Sequence, residues 1–343
     1  MKNMHFKRKL PVPKEIKEQY PLSQELIRIK EARDQVIADI FTGKSKKMVL
    51  IIGPCSADRE DAVMEYCEKL AKLQMAVEDK LILIPRVYTN KPRTTGEGYK
   101  GLLHQPDPEQ EADMLEGVIA IRRLHTNVLA GTGLSTADEM LYPDNYRYLS
   151  DLLAYVAVGA RSVENQEHRL TSSGIAVPVG MKNPTSGDIS VMLNSILAAQ
   201  KSHTFIYRGW EVDTTGNPLA HAIMRGYVNK HGEAIPNYHF EDLEHLYNAY
   251  AAKGLQNMAL IVDANHSNSA KKYDQQPRIC KDVLYTCRHN SHISDMVKGF
   301  MIESYLEGGS QKIGEHIYGK SITDPCIGWA ATEKLVKDIA DLI

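Results

Sequence analysis

Seven apolar runs in this chain of 343 residues each end in a side chain that chemistry can use. They read VLIIGPC to Cys55, LILIPR to Arg86, AYVAVGAR to Arg161, IAVPVGMK to Lys182, AHAIMR to Arg225, ALIVDANH to His266 and GFMIE to Glu303. A sulfur ligand, an imidazole, a carboxylate, three guanidinium groups and an ammonium are thus placed one per run. A mixed set of Cys55, His266, Glu303 and Asp324 suits a divalent transition metal such as Mn, Fe, Co or Zn better than Mg or Ca. No local pair such as HExxH joins these four, so only a fold could bring them together. Each also has an ordinary reading. Cys55 could be a small buried residue and His266 a satisfied core histidine. Asp324 before Pro325 could be a helix N-cap. Glu303 is hardest to explain without a partner, because a carboxylate after GFMI would otherwise be buried unpaired.

The cations form a second set. Arg86, Arg161, Arg225 and Lys182 end four separate runs, and Arg binds carboxylate and phosphate through paired hydrogen bonds. Any one of them could be a structural ion-pair partner; all four together point to an anion well. After Arg86 comes KPRTT, with Lys91, Arg93, Thr94 and Thr95 stiffened by Pro92, a loop suited to a phosphate or to plain solvation. Cys55 thiolate, Glu303 and Asp324 carry three negative charges and a divalent ion leaves one. Six cations then bring the site to about +5, or +4 if Glu139 faces inward, against about −5 for two phosphorylated substrates of which one bears a carboxylate.

The elements that must position these residues alternate from Met48 onward. Strand-like runs fall at 48–53, 81–88, 128–133, 155–160, 176–181, 221–225, 258–264 and 297–303. They are rich in Val, Ile, Leu and Ala without polar alternation, as strands buried on both faces should be. Helical stretches separate them, including 58–74, 108–125, 144–155, 188–201, 240–254, 276–290 and a closing helix at 329–343. Eight strands alternating with helices predict a (β/α)8 barrel, whose strand ends meet at one face. No GxGxxG follows the first strand, which counts against a dinucleotide fold.

Residues 1–45 stand apart as an arm plus one helix, capped by Ser23 and ended by Gly43, that plugs the barrel bottom or packs on another subunit. Residues 46–343 make the catalytic barrel. HTFIYRGWEVDTTGNPL, residues 203–219, reads as an inserted β-hairpin with a DTTGN turn, suited to assembly or regulation.

Composition narrows the class further. A net charge of −2 leaves no basic surface for nucleic acid. Five cysteines without paired spacing suggest a reducing compartment. The first 30 residues lack an apolar signal-peptide region and no run reaches a membrane span. The expectation is a cytoplasmic protein without nucleic-acid or membrane partners.

Taken in order, GPCS at 53–56, PRVY at 85–88, KPRTT at 91–95, GARSVENQEHR at 159–169, GMKNPTSG at 180–187, RG at 225–226, DANHSNS at 263–269, MIESYLEGG at 301–309 and GKSITDPCIGW at 319–329 resemble type I 3-deoxy-D-arabino-heptulosonate 7-phosphate (DAHP) synthases. More narrowly, they resemble the long subtype with an N-terminal extension and an inserted hairpin. The resemblance covers nearly the whole chain. It implies condensation of phosphoenolpyruvate with erythrose 4-phosphate to DAHP and phosphate, the first step toward chorismate. It implies that Arg86, Arg161, Lys182, Arg225, Glu139 and the Gly159–Ala160 backbone hold phosphoenolpyruvate, and that Lys91, Pro92, Arg93 and Thr94 hold erythrose 4-phosphate. It places one metal, Mn first, on Cys55, His266, Glu303 and Asp324, with Lys182 as candidate proton donor. It further implies a homodimer or homotetramer with an aromatic amino acid as effector. Two alternatives remain at this point: a 3-deoxy-octulosonate 8-phosphate synthase using arabinose 5-phosphate, from which KPRTT argues away, and a non-catalytic amino-acid-sensing barrel.

Overall fold

A computed structural model of the chain describes residues 2–343 apart from Thr94. The sheet strands are β1 (Met48–Gly53), β2 (Leu81–Pro85), β3 (Thr136–Glu139), β4 (Leu153–Val158), β5 (Val179–Lys182), β6 (His221–Met224), β7 (Leu260–Asp263) and β8 (Val297–Glu303). All pair in parallel, in the order β2-β1-β8-β7-β6-β5-β4-β3. The remaining seam closes at a parallel bridge between Arg86 and Ala137, where Val87 N–H donates to Ala137 O at 2.9 Å. The sheet is therefore a closed (β/α)8 barrel with helices around it.

Each strand is buried on both faces, and alternate residues serve different cores. Val49, Ile51, Ile82, Ile84, Ala137, Tyr155, Ile223, Ile261 and Met301 fill the barrel interior. Met48, Leu50, Ile52, Leu81 and Leu83 face outward into a larger layer shared with the helices. At the register level of the site, Gly53 of β1 stands beside Glu303 of β8. A side chain at Gly53 would meet the Arg86 carbonyl at 2.5 Å, so the close passage of β1 past β2 requires glycine there.

The helices are α1 (Pro13–Gln19), α2 (Gln24–Phe41), α3 (Glu60–Val77), α4 (Met114–Thr132), α5 (Pro143–Leu149), α6 (Gln166–Ser172), α7 (Ile189–Ala199), α8 (Phe240–Ala252), α9 (Gln276–His289), α10 (Ser291–Met296) and α11 (Trp329–Leu342). Ser23 caps α2 by accepting from Leu26 N–H, and Gly43 follows its end at φ +75°. Ile37, Ile40 and Phe41 of α2 belong to the same cluster as the inward-facing strand residues. The helix therefore stoppers the barrel, at the end opposite the strand C-termini. Among the described residues, no helix is long and apolar enough to cross a membrane.

Two expectations are corrected. The run at 128–133 is not a strand. It is the last turn of α4, which ends at Gly133 in the left-handed conformation, and the third strand is the short TADE at 136–139. VLAGT has strand-forming residues, but it continues a helical face whose Val128 and Leu129 are buried. The hairpin exists as Thr204–Tyr207 paired with Trp210–Asp213, but its turn is Arg208–Gly209. Both residues have positive φ, 56° and 79°, which is what a two-residue hairpin turn demands. DTTGN lies after the second strand. A further short antiparallel pair, Tyr227–Val228 with Ala234–Ile235, follows Arg225 and was not expected.

Candidate active site

The C-terminal ends of all eight strands contribute to one site. Cys55 and Arg86 follow β1 and β2, and Glu139 ends β3. Gly159 follows β4, Lys182 ends β5, Arg225 follows β6, Asp263 ends β7 and Glu303 ends β8. All of these except Asp263 and Glu303 border one cleft that opens to solvent. Cys55, Arg86, Lys91, Pro92, Arg93, Glu139, Gly159, Ala160, Arg161, Lys182, Arg225, His266 and Asp324 all line it. Glu303 lies beneath the lining, 1% exposed. Thr94 lies outside the described residues.

At the floor, Cys55, Glu303 and Asp324 present one ligand atom each, all within 4.8 Å of one another. His266 Nε2 stands beside this trio, 3.9 Å from Glu303 Oε1. Its other ring nitrogen, Nδ1, lies 2.8 Å from Asp263 Oδ2. A carboxylate behind one imidazole nitrogen, with the other facing the trio, is the arrangement common to metal-binding histidines. Burial lowers the His266 pKa, aided by Lys182, and keeps the ring neutral as ligation requires. Burial pushes the Cys55 thiol up, and the Glu303 carboxylate adds to that. Burial works against ionised Glu303, but Arg86 and His266 outweigh it and hold its pKa below the ordinary value. One sulfur, one imidazole and two carboxylates thus form a donor set that fits a divalent transition ion.

The walls are cationic and fixed. Arg86 donates from Nη2 to Glu303 Oε1 at 2.8 Å and from Nε to the Pro54 carbonyl at 3.1 Å. Its guanidinium also lies 3.8 Å from the Tyr88 ring centre. Among the described residues, Nη1 of Arg86 and Nη1 of Arg225 are buried without a partner, donors that an anion would satisfy. Lys182 Nζ is 3.4 Å from Asp263 Oδ2. Lys91 Nζ lies 2.6 Å from Cys55 Sγ and 3.2 Å from Asp324 Oδ2. A Cβ on Gly159 would come within 2.5 Å of Glu139 Oε1, so glycine lets this carboxylate reach the Gly159–Ala160 backbone.

The structure also tests the ordinary readings. Asp324 caps no helix, since the next helix begins at Trp329. Arg86 and Lys182 are ion-paired, and they nonetheless line the cleft.

A model of the DAHP synthetase I family matches residues 19–337. The chain belongs to the DAHP synthetase I family. It is 36% identical to the Trp-sensitive phospho-2-dehydro-3-deoxyheptonate aldolase of Enterobacter agglomerans, over 97% of this chain and 95% of that one. It is 35% identical to the Tyr-sensitive enzyme of Escherichia coli K12, over 99% and 95%. The phospho-2-dehydro-3-deoxyheptonate aldolase structure from Francisella tularensis SCHU S4 superposes with a TM-score of 0.92 at 28% identity, covering 99% of this chain and 98% of that one.

Several residues of this DAHP synthetase I site escaped the reading of motifs. Asp263 supports both His266 and Lys182, and Asn265 donates to Glu303 Oε2 at 2.6 Å. Their signal is present in DANH, where a buried-strand Asp precedes His266 by three residues. His266 itself sits at φ +49°. That strained turn is held by Lys271 N–H on the His266 carbonyl at 2.8 Å and by Asn268 on the Asp263 carbonyl at 2.8 Å. Short polar side chains that bond backbone explain why the loop reads NHSNS. Lys271, 3.2 Å from Asp324 Oδ1, also borders the cleft.

Proposed function

We propose that this protein condenses phosphoenolpyruvate with erythrose 4-phosphate and water to give DAHP and phosphate. The observation that carries this reading is one cleft on which a cationic wall, the KPRTT loop and a Cys/His/carboxylate floor meet. Family membership and relatives named phospho-2-dehydro-3-deoxyheptonate aldolase support it.

In this reading Arg86, Arg161, Lys182 and Arg225 hold the phosphate and carboxylate of phosphoenolpyruvate, with Glu139 and the Gly159–Ala160 backbone setting its orientation. Lys91, Pro92, Arg93 and Thr94 hold the phosphate sugar so that its aldehyde faces C3 of phosphoenolpyruvate. Fixing two anions at reacting distance supplies much of the rate gain, and pre-placed cations stabilise charge as it moves. Cys55, His266, Glu303 and Asp324 would hold the ion, Mn before Fe, Co or Zn, which when bound supplies Lewis acidity toward a carbonyl oxygen. Lys182 is the proton donor of this scheme, its Nζ held 3.4 Å from Asp263 Oδ2. Water adds at C2 and phosphate leaves. The arm at 1–45 and the hairpin within 203–219 serve assembly and regulation of the barrel at 46–343, in a cytoplasmic homodimer or homotetramer. Relatives named Trp-sensitive and Tyr-sensitive support an aromatic amino acid as effector.

Turnover by metal-stripped protein reconstituted with Mn decides the matter. Phosphoenolpyruvate should be consumed with erythrose 4-phosphate and not with arabinose 5-phosphate. The reverse preference would identify an octulosonate synthase, and amino-acid binding with no turnover would leave a sensing barrel.

A further inference from the structure

Lys91 belongs to two parts of the site at once. Its backbone lies in the KPRTT loop, where Lys91 N–H donates to the Lys100 carbonyl at 3.0 Å, and Pro92 and Arg93 beside it border the cleft. Its ammonium, however, rests on the floor, 2.6 Å from Cys55 Sγ and 3.2 Å from Asp324 Oδ2. Those two residues belong to the trio of clustered donors. The same ammonium thus touches the donors a divalent ion would use, while its loop is the one assigned to the phosphate sugar.

The other cations near the floor differ. Arg86 is committed to Glu303, with both side chains almost fully buried at 2% and 1% exposure. Lys271 reaches Asp324 from solvent, its side chain 65% exposed. Lys91 is 13% exposed and leans on sulfur and carboxylate together. A divalent cation on the same sulfur and carboxylate would stand within a few ångströms of this ammonium, and like charges so close repel strongly in a partly desolvated site. The ammonium has three donors to satisfy and a flexible four-carbon stem to carry them elsewhere. A sugar phosphate over its own loop is the nearest anion that could take them.

We propose that Lys91 is an exchangeable counter-ion, resting against the Cys55 sulfur and neutralising the Asp324 carboxylate before the metal arrives and turning to the sugar phosphate once it has. Metal and phosphate sugar then bind cooperatively, because each removes the ammonium from the position that opposes the other. The coupling must be reciprocal: whatever the metal adds to sugar-phosphate affinity, the sugar phosphate adds to metal affinity. This inference rests on the metal and substrate assignments above and adds the link between them.

Calorimetric titration of Mn(II) into chelator-stripped full-length protein, at one pH, tests it without turnover. Lys91→Met should bind Mn(II) about tenfold more tightly than the wild type, the scale on which groups behind a metal's ligands act. Lys91→Gln should do the same and guards against a folding defect peculiar to methionine. Lys271→Met should change Mn(II) affinity much less. Saturating erythrose 4-phosphate should tighten Mn(II) binding to the wild type and leave that of both Lys91 variants unmoved. Unchanged or weaker Mn(II) binding in the Lys91 variants overturns the inference. So does a Lys271 effect as large as theirs, or a sugar-phosphate effect that survives without Lys91. A wild type that binds Mn(II) and turns over, while the Lys91 variants behave this way, removes the counter-ion role alone; a wild type that binds no Mn(II) removes the assignments beneath it as well.

Discussion

On the proposed assignment, Arg93 is the side chain whose loss separates the two substrates. It borders the cleft next to Lys91, and its Nε donates to the Tyr99 carbonyl at 2.7 Å, which anchors the guanidinium within its own loop. Among the described residues, no side-chain partner of Arg93 is one of those proposed to hold phosphoenolpyruvate. Arg93→Ala should therefore raise the apparent KM for erythrose 4-phosphate by about 10- to 100-fold, the scale of one charge-assisted hydrogen bond. The KM for phosphoenolpyruvate should stay within about threefold of wild type, too small a change to represent a lost bond. Equal shifts in steady-state kinetics would reassign the loop.

Helix α2 shows how an element far from the chemistry supports it. Phe41 is 1% exposed and packs 4.4 Å, ring to ring, from His221 of β6. Arg33 of the same helix donates to the Leu83 carbonyl of β2 at 2.8 Å. The stopper thus holds the end of the barrel opposite the cleft. Phe41→Ala should cost about 3–5 kcal/mol of stability, the usual range for emptying a buried aromatic site. Activity at saturating substrate and low temperature should persist, because no side chain of the cleft moves. Urea unfolding alongside an initial-rate assay would check both halves; equal loss of rate and stability would mean that the stopper shapes the site directly.

The barrel as a unit carries its own pH dependence. His221 lies inside it, with Nε2 2.8 Å from the Tyr155 hydroxyl and Nδ1 2.8 Å from the Leu219 carbonyl. Complete burial pushes its pKa down to about 4. Between the unfolded value of about 6.5 and about 4, the unfolded chain takes up a proton that the folded one refuses, so stability falls with falling pH by about 3 kcal/mol across that window. Above about pH 6.5 the ring is neutral in both states and contributes no slope. In urea unfolding from pH 7 to pH 4.5, His221→Gln should lose stability less steeply than the wild type. Parallel slopes would show that the ring is reached by solvent or proton.

The chemistry was legible in the chain because strands buried on both faces read as apolar runs, and the polar residue that ends each run stands out. Cys55, Arg86, Lys182, Arg225 and Glu303 were found that way. The third strand was not, because TADE has no apolar run to announce it, and the strand-like residues just before it finish a helix. Asp263 and Asn265 were passed over because their partners, Lys182, His266 and Glu303, lie on other strands or past a left-handed turn. The composition of runs and loops is local and could be read residue by residue. That Lys91 rests on Cys55 and Asp324, on sites 36 and 233 residues away, follows from barrel closure, which sets distances that no spacing along the chain encodes.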